Sequence, residues 1–312
     1  MNARPAPRSI ADYLDQLHHC LQGADPALLQ DAAYDAEEYL RAEVAAHKDK
    51  SEADVLELIA STYGAPDEVA AAYLDTEAKV KAALRTPNRR PNVAARGVWA
   101  RFFGVFTDPR AYMSLFFMFL ALATGIIYFT IAVVGISLSA GLAVLIIGVP
   151  FFLIFIALTR VMSLAEGRIV EGLLGERMPR RPQHPSATMP FWQRIGDMLK
   201  DTRTWTTLAY FVLMLPLGIV YFVVAVLGMS LGAAFTVAST IGFANLLGFT
   251  SGDIKILEGH IEPQWFAEQI ASPLGLGLAL VAGVLLVTLT LHFARFVGSC
   301  HGKFAKLMLV AR

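Results

Sequence analysis

The hydrophobic residues of this chain are concentrated in long runs that follow a polar first quarter. No charged residue occurs between Arg110 and Arg160 or between Arg203 and Asp253, and another apolar run extends from about Pro273 to Leu291. About 20 apolar residues are needed for a helix to cross a bilayer, and helices pair all backbone groups of such a span internally. The pattern therefore predicts an all-α protein with four membrane spans, the first two joined by a tight turn near residues 135–137.

The polar first quarter has the periodicity of short amphipathic helices. One apolar stripe recurs at helical spacing and consists of Ile10, Leu14, Leu17 and Leu21. Asp25-Pro26 and the run from Ser51 to Asp54 are helix-start signals, the first an N-cap followed by proline and the second a capping box. We therefore predict a small cytosolic helical bundle over residues 1–80, followed by a basic linker over residues 81–97.

Three stretches of this bundle carry a family resemblance. They are IADYLDQL (10–17), DAAYDAEEYL (31–40) and SEADVLELIASTYGAPDEVAAAYL (51–74). They resemble the HAAS domain, the helix-turn-helix-associated α-helical signalling domain, although that family usually has Leu where this chain has Tyr before the glycine. The resemblance implies a protein partner, because such domains are often encoded beside PadR-type repressors. The candidate partner surface comprises Tyr63, Gly64, Pro66 and Glu68.

The second apolar stretch repeats the first. LATGIIYFTIAVVGISL (122–138) returns as LPLGIVYFVVAVLGMSL (215–231), a shift of 93 residues. The same shift aligns Trp99, Asp108 and Arg110 with Trp192, Asp201 and Arg203. Apolar composition alone would not repeat these identities. We predict two tandem hairpin repeats (98–178 and 191–312), separated by a Pro-rich cytosolic linker (179–190), each beginning with an interfacial helix marked by its tryptophan.

The two copies part after Leu231. Glu166-Gly167-Arg168 corresponds to His301-Gly302-Lys303, so the shift has grown from 93 to 135 residues and the second copy carries an insert of about 42 residues, at about 232–273. We expect residues 232–252 to dip into the membrane or lie on it. The acidic remainder of this outward-facing insert offers a candidate metal or proton sensor, the alternative being a plain solvated loop. Its residues are Glu258, His260, Glu262 and Trp265.

Lys and Arg residues are distributed unevenly around the predicted spans. They cluster before the first span, between the second and third, and after the fourth, whereas Lys255 is the only one between Phe211 and Phe293. Cytoplasmic loops of membrane proteins carry the excess of Lys and Arg. We therefore expect a multi-pass protein of the bacterial cytoplasmic (inner) membrane with both termini in the cytosol, so that each repeat is an in–out–in hairpin.

Several residues within the predicted spans are candidates for coupling one helix to another. Small residues allow close helix packing, and a proline within a helix is either a hinge or a packed kink. Tyrosine hydroxyls at these positions need partners on neighbouring helices. The candidates are Gly125, Tyr128, Pro150, Pro216, Gly218 and Tyr221.

A second resemblance covers roughly residues 98–310. The residues that carry it are Asp201, Arg203 and Trp205, the run LPLGIVYF (215–222), and Leu291, His292, Arg295 and His301. Together they resemble the four-span sensor domain found at the N-terminus of some actinobacterial histidine kinases. The resemblance implies a bacterial membrane sensor.

Composition and motifs give little support to catalysis. The predicted spans contain no charged side chain, and Cys20 and Cys300 lack metal-binding spacing, so we predict no catalytic, cofactor or metal site. We expect a non-enzymatic membrane sensor that relays an envelope or extracellular cue to a cytosolic protein, such as a PadR-type regulator. The alternative is an oligomeric small-solute transporter, since transporters are often built from repeats. We expect contact with lipid, a homo-oligomer as a further option, and no direct binding to nucleic acid.

Overall fold

The computed structural model describes residues 6–84, 97–142, 148–181, 196, 200–249 and 272–310. These residues form helices, turns and short connections, with no strand among them. The helices are α1 (Ile10–Cys20), α2 (Pro26–Ala46), α3 (Glu52–Ala60), α4 (Pro66–Leu84), α5 (Val98–Phe103), α6 (Pro109–Leu142), α7 (Gly148–Leu174), α8 (Thr202–Leu246) and α9 (Pro273–Leu309). The predicted all-α fold is confirmed.

Helices α1 to α4 form a small bundle, called the head below, and the N-termini of α1, α2 and α3 lie at capping residues. Ser9 Oγ accepts a hydrogen bond from the Asp12 N–H at 3.1 Å, and Asp25 Oδ1 accepts one from the Ala27 N–H at 3.0 Å. Ser51 caps α3 through a reciprocal capping box. These contacts satisfy backbone donors that the first helical turn leaves without partners.

The interior of the head is apolar and continuous. Its buried side chains include Tyr13, Leu17, Leu40, Val55 and Ile59. The Tyr13 hydroxyl also donates to the Gly64 carbonyl at 2.9 Å and so fixes the turn between α3 and α4. Gly64 has φ +107°, a left-handed conformation that favours glycine.

The four long helices α6, α7, α8 and α9 are each long and apolar enough to cross a membrane. The prediction of a four-span membrane domain is therefore confirmed, and the chain is a multi-pass membrane protein.

The connection between the first two of these helices lies later than the sequence suggested. We predicted a tight turn near residues 135–137, but α6 continues through them to Leu142 and α7 begins at Gly148. A Cβ atom at Gly135 would overlap the ring of Phe155 on α7. Gly135 is therefore a close-packing position within a helix and not a turn glycine.

Helix α8 continues well past the point where the two sequence copies part. Its 45 residues would extend about 68 Å at about 1.5 Å per residue, roughly twice the thickness of a bilayer core. Residues 232–246, predicted as a separate dipping or interfacial segment, are a continuation of this helix. They pack against the first half of α9, where Gly242 contacts Leu276.

The chain divides into two compact units, and each is described by itself below. One unit comprises Met1–Arg89, Phe129–Val212 and His301–Arg312, and the other comprises Arg90–Tyr128 and Leu213–Cys300. The first unit contains the head, and the second contains an apolar core that includes Ala111, Leu115, Ala225 and Leu291.

Candidate functional site

Arg177 is the central residue of a buried ionic cluster in the unit that contains the head. It follows the end of α7, and only 7% of its side chain is exposed. Burying an arginine is costly unless its charge and its donors are paired. The buried position of Arg177 therefore requires acceptor groups around its guanidinium.

Two carboxylates of the head receive the Arg177 guanidinium. Nη2 donates to Asp31 Oδ2 of α2 at 2.8 Å, and Nε donates to Glu77 Oε2 of α4 at 3.1 Å. Both carboxylates are nearly fully buried. Burial alone would lower the pKa of Arg177, but the hydrogen bonds to Asp31 and Glu77 outweigh it, so the pKa is raised. The guanidinium therefore stays charged.

Other contacts complete this ion cluster. Arg177 Nη1 lies 3.7 Å from Glu171 Oε2 of α7, and Arg180 Nη2 donates to Glu171 Oε1 at 2.7 Å. Asp31 Oδ1 accepts the backbone N–H groups of Arg180 at 2.7 Å and of Arg181 at 2.8 Å. We call Asp31, Glu77, Glu171, Arg177 and Arg180 the Arg177 cluster. It ties α2 and α4 of the head to the chain that leaves α7.

A second ionic contact joins the head to the end of α9. Lys306 Nζ donates to Asp25 Oδ2, the N-cap of α2, at 2.7 Å and to Glu176 Oε1 at 3.2 Å. Both the Lys306 and Asp25 side chains are at least four-fifths buried. The head is thus attached to the ends of two apolar helices, α7 and α9.

The helix ends that carry these contacts are themselves joined by a buried polar bridge. The Tyr210 hydroxyl of α8 donates to Glu166 Oε1 of α7 at 2.7 Å and lies 3.0 Å from His301 Nε2 of α9. All three residues are almost completely buried. Because the hydroxyl has one proton, the assignment of that proton to Glu166 makes the imidazole Nε2 the donor to Tyr210.

Glycines beside this bridge allow the segment after α7 to pack closely. A Cβ atom at Gly167 would lie 3.4 Å from Met178 Cβ, and one at Gly302 would lie 3.2 Å from Glu176 Cβ. Gly167 and Gly302 occupy corresponding places in the two sequence copies, next to Glu166 and His301. The segment that presents Arg177 to the head is therefore packed against both α7 and α9.

Comparison with known families gives this membrane domain a family. The family model described as "Putative sensor" matches residues 117–309, more than half of the chain. The chain belongs to this sensor family. No curated protein and no solved structure matches it. The match covers most of α6, all of α7, α8 and α9, and the Tyr210 bridge of this sensor-family protein, and it leaves out the head.

The predicted sensing loop, formed by Glu258, His260, Glu262 and Trp265, lies outside the described residues. Its role stays a prediction. In the described parts of this sensor-family protein, no group of three or more His, Cys, Asp or Glu side chains could hold a metal ion.

Two of the predicted coupling residues meet at one helix crossing of the second unit. A Cβ atom at Gly125 of α6 would lie 2.7 Å from the Met214 carbonyl oxygen of α8, and one at Gly218 would overlap the Ala121 carbonyl oxygen. The contacts are reciprocal, because residue 214 is the 93-residue counterpart of residue 121 and Gly218 is that of Gly125. The two backbones touch here.

The residue order at this crossing adds a geometric constraint. As residue numbers rise on α6 from Ala121 to Gly125, the contacted residue numbers fall on α8 from Gly218 to Met214. Phe119 and Phe222, with ring centroids 6.0 Å apart, continue this order. If α6 and α8 share one orientation, they must therefore cross steeply.

The other coupling candidates occupy different environments. Tyr128 is buried, whereas Tyr221 is partly buried and packs against the apolar core of the second unit. Pro216 lies inside α8. Pro150 lies in the first turn of α7, where a proline requires no kink, so it has no hinge position.

The predicted partner surface on the head is in part a structural turn. The Tyr63 ring stacks on Tyr39 with ring centroids 4.4 Å apart, and Pro66 begins α4. Glu68 Oε2 accepts the Ala65 N–H at 3.2 Å. Gly64 accepts the Tyr13 hydroxyl, as described above. These contacts explain the residues by local folding, and their role towards a partner stays a prediction.

Sequence reasoning missed the Arg177 cluster, although the chain contains a signal for two of its members. Asp31 falls on the same helical face as the buried Leu28 and Ala32, and Glu77 follows Tyr73 by four residues. A carboxylate on an otherwise apolar face needs a buried partner. The sequence did not identify that partner, because Arg177 is 146 residues from Asp31.

Proposed function

We propose that this protein is a non-enzymatic membrane signalling protein. In this proposal the four-span domain perceives an envelope or extracellular cue, and the head, as a HAAS-type domain, binds a cytosolic protein. A PadR-type transcriptional regulator is the partner class that the resemblance favours. The protein would lie in the bacterial cytoplasmic membrane with both termini in the cytosol.

The observation that supports this proposal most is the Arg177 cluster. It links the head to the ends of the apolar helices through buried charges. A rearrangement of those helices would therefore change the distances within the cluster. Removing one partner from a buried ion pair costs about 3–5 kcal/mol, because it leaves an uncompensated charge. A displacement of Arg177 that breaks its hydrogen bonds to Asp31 and Glu77 would therefore lower the stability of the docked head considerably.

Signalling through this cluster requires two states of the protein. A cue can shift the balance between them only if it binds one state more tightly than the other. In the docked state, Asp31 and Glu77 are occupied by Arg177. In the released state they would be solvated, and the head would present a different surface to its partner.

The experiment compares transcript levels in cells that carry the wild-type gene, a deletion of residues 1–80, or the substitution Arg177→Met. We expect the deletion and the substitution to alter an overlapping set of transcripts, because both uncouple the head from the membrane domain. Lys79→Met is the matched control, since within the described part of the chain Lys79 forms only an exposed pair with Asp75 of the same helix. If the deletion leaves transcript levels unchanged while the protein is present in the membrane, signalling through the head is wrong.

A further inference from the structure

A pocket lined by two arginines lies where α7 and the start of α8 meet. Its lining includes Arg160, Arg203 and Asp201, together with the hydroxyl side chains of Thr159, Thr204 and Thr207. We call it the Arg160 pocket. Its three charged residues sum to one positive charge, which favours an anion.

The charges of the Arg160 pocket are only loosely paired within the protein. Arg160 Nη2 lies 4.0 Å from Asp201 Oδ2, the outer limit of an ion pair. Arg203 donates one guanidinium N–H to Gln30 Oε1 at 2.9 Å. An arginine has five N–H donors in a planar fork that matches the oxygens of a phosphate.

Two buried hydroxyls of the pocket also remain available as donors. Thr204 and Thr207 are 8% and 6% exposed. Among the described residues, neither hydroxyl has a hydrogen-bond partner, whereas the Thr159 hydroxyl donates to the Ile156 carbonyl at 2.8 Å. Because Thr204 and Thr207 line the pocket, their hydroxyls are placed to donate to a ligand or a solvent molecule in it.

The corresponding junction in the other half of the sequence keeps Arg110 and Ser114, the counterparts of Arg203 and Thr207, but lacks two of the hydroxyl side chains. There Asp108 and Arg295, the counterparts of Asp201 and Arg160, form a shorter ion pair at 3.1 Å. Ala111 stands at the counterpart of Thr204 and Ala294 at that of Thr159, and both alanines are fully buried in an apolar core. The same pair of charges thus accompanies a packed interior at one junction and a polar pocket at the other.

We propose that the Arg160 pocket binds a phosphate group, carried by an anionic lipid headgroup or present as inorganic phosphate. Arg160 and Arg203 would neutralise its charge, and the hydroxyls of Thr204 and Thr207 would donate to its oxygens. Basic pockets between membrane helices are recurrent sites for acidic headgroups. The Asp201 carboxylate repels an anion in the pocket, so a substitution at Asp201 tests the sign of the charge on the ligand.

The test uses the full-length protein in detergent and native mass spectrometry. The probes are phosphatidylglycerol, phosphatidylcholine as the zwitterionic lipid, and inorganic phosphate as competitor. We expect Arg160→Gln to weaken phosphatidylglycerol binding by roughly tenfold to a hundredfold, the range of a lost charge-assisted hydrogen bond. Arg295→Gln, the matched charge removal at the packed junction, should leave binding unchanged.

Two further variants keep the test decisive if Arg160→Gln folds poorly. The double substitution Thr204→Ala and Thr207→Ala retains every charge and should weaken binding by about fivefold, as two neutral hydrogen bonds are lost. Asp201→Asn should tighten anion binding, because it removes the opposing charge and keeps an N-cap side chain. A bound cation would instead be released by Asp201→Asn, and that result overturns the proposal.

The probes separate the two sources of phosphate. Phosphatidylglycerol that inorganic phosphate cannot displace assigns the pocket to a lipid headgroup, and displacement by inorganic phosphate assigns it to the soluble anion. Equal retention of phosphatidylglycerol by the wild type, Arg160→Gln and Arg295→Gln overturns the proposal. Absence of binding by both phosphatidylglycerol and inorganic phosphate overturns it as well.

Discussion

Arg177 is stable in a buried position because several groups of the protein satisfy its guanidinium together. Asp31 and Glu77 each accept one of its N–H groups, and the Met178 carbonyl accepts another. Asp31 in turn accepts two backbone N–H groups of the segment that follows. The interaction is thus a network, in which each buried charge depends on the others. Removal of one member leaves the rest without compensation.

We expect Arg177→Met in the full-length protein to destabilise the docked head by about 3–5 kcal/mol, because the buried carboxylates of Asp31 and Glu77 lose their partner. Hydrogen–deuterium exchange of the α2 and α4 amides would measure this loss. Lys79→Met is the control. Its side chain forms an exposed pair with Asp75 of the same helix and lies outside the Arg177 cluster, so we expect a loss of at most about 1 kcal/mol. Equal effects of the two substitutions would contradict the central role of Arg177.

At the scale of helices, the crossing of α6 and α8 depends on two glycines that allow backbone contact. Small residues serve this purpose in membrane helices, where packing and not water exclusion drives association. Gly125 contacts α8 at Met214, four residues before Gly218, and Gly218 contacts α6 at Ala121, four residues before Gly125. The contact is therefore reciprocal, as at a twofold axis. This reciprocity supports the interpretation of the two sequence copies as related hairpins, although the repeat itself stays a prediction.

We expect Gly218→Ala to destabilise the membrane domain by about 1–3 kcal/mol, because its Cβ would force the two backbones apart. Thermal unfolding in detergent, followed by tryptophan fluorescence, would measure it. Gly277→Ala is the matched control, since no described atom lies within 4 Å of the Cβ it adds. Gly125→Ala acts at the same crossing, so the double substitution should cost less than the sum of the single ones. Strict additivity would show that the two glycines do not share one contact.

For the molecule as a whole, charge and packing bear on the orientation of the helices in different ways. The distribution of Lys and Arg favours in–out–in hairpins with both termini in the cytosol. The reversed residue order at the Gly125–Gly218 crossing is compatible with this arrangement only if α6 and α8 cross steeply. The orientation of α8 relative to α6 in the membrane therefore tests the predicted topology.

Alkaline phosphatase fusions would measure that orientation, because the reporter is active only outside the cytosol. We expect activity for fusions within residues 143–147 and 250–271, and none for fusions at residues 182–195 or after the C-terminus, as the charge distribution requires. Active fusions at both residues 143–147 and 182–195, with an inactive fusion at residues 250–271, would mean that α6 and α8 run in opposite directions, and the predicted shared orientation of the hairpins would be wrong.

The sequence by itself determined the all-α fold and the four apolar helices, because hydrophobic length and helical periodicity are local properties of the chain. The sensor family followed from a resemblance of the sequence, which the family model confirms. The sequence placed the first turn too early and separated residues 232–246 from α8, since glycine marks both turns and close helix contacts and only packing distinguishes them. The tertiary structure alone decided that Arg177 belongs with Asp31 and Glu77, and that one Asp–Arg junction is polar while its counterpart is packed. Those pairings join residues far apart in the chain, and no local pattern records them.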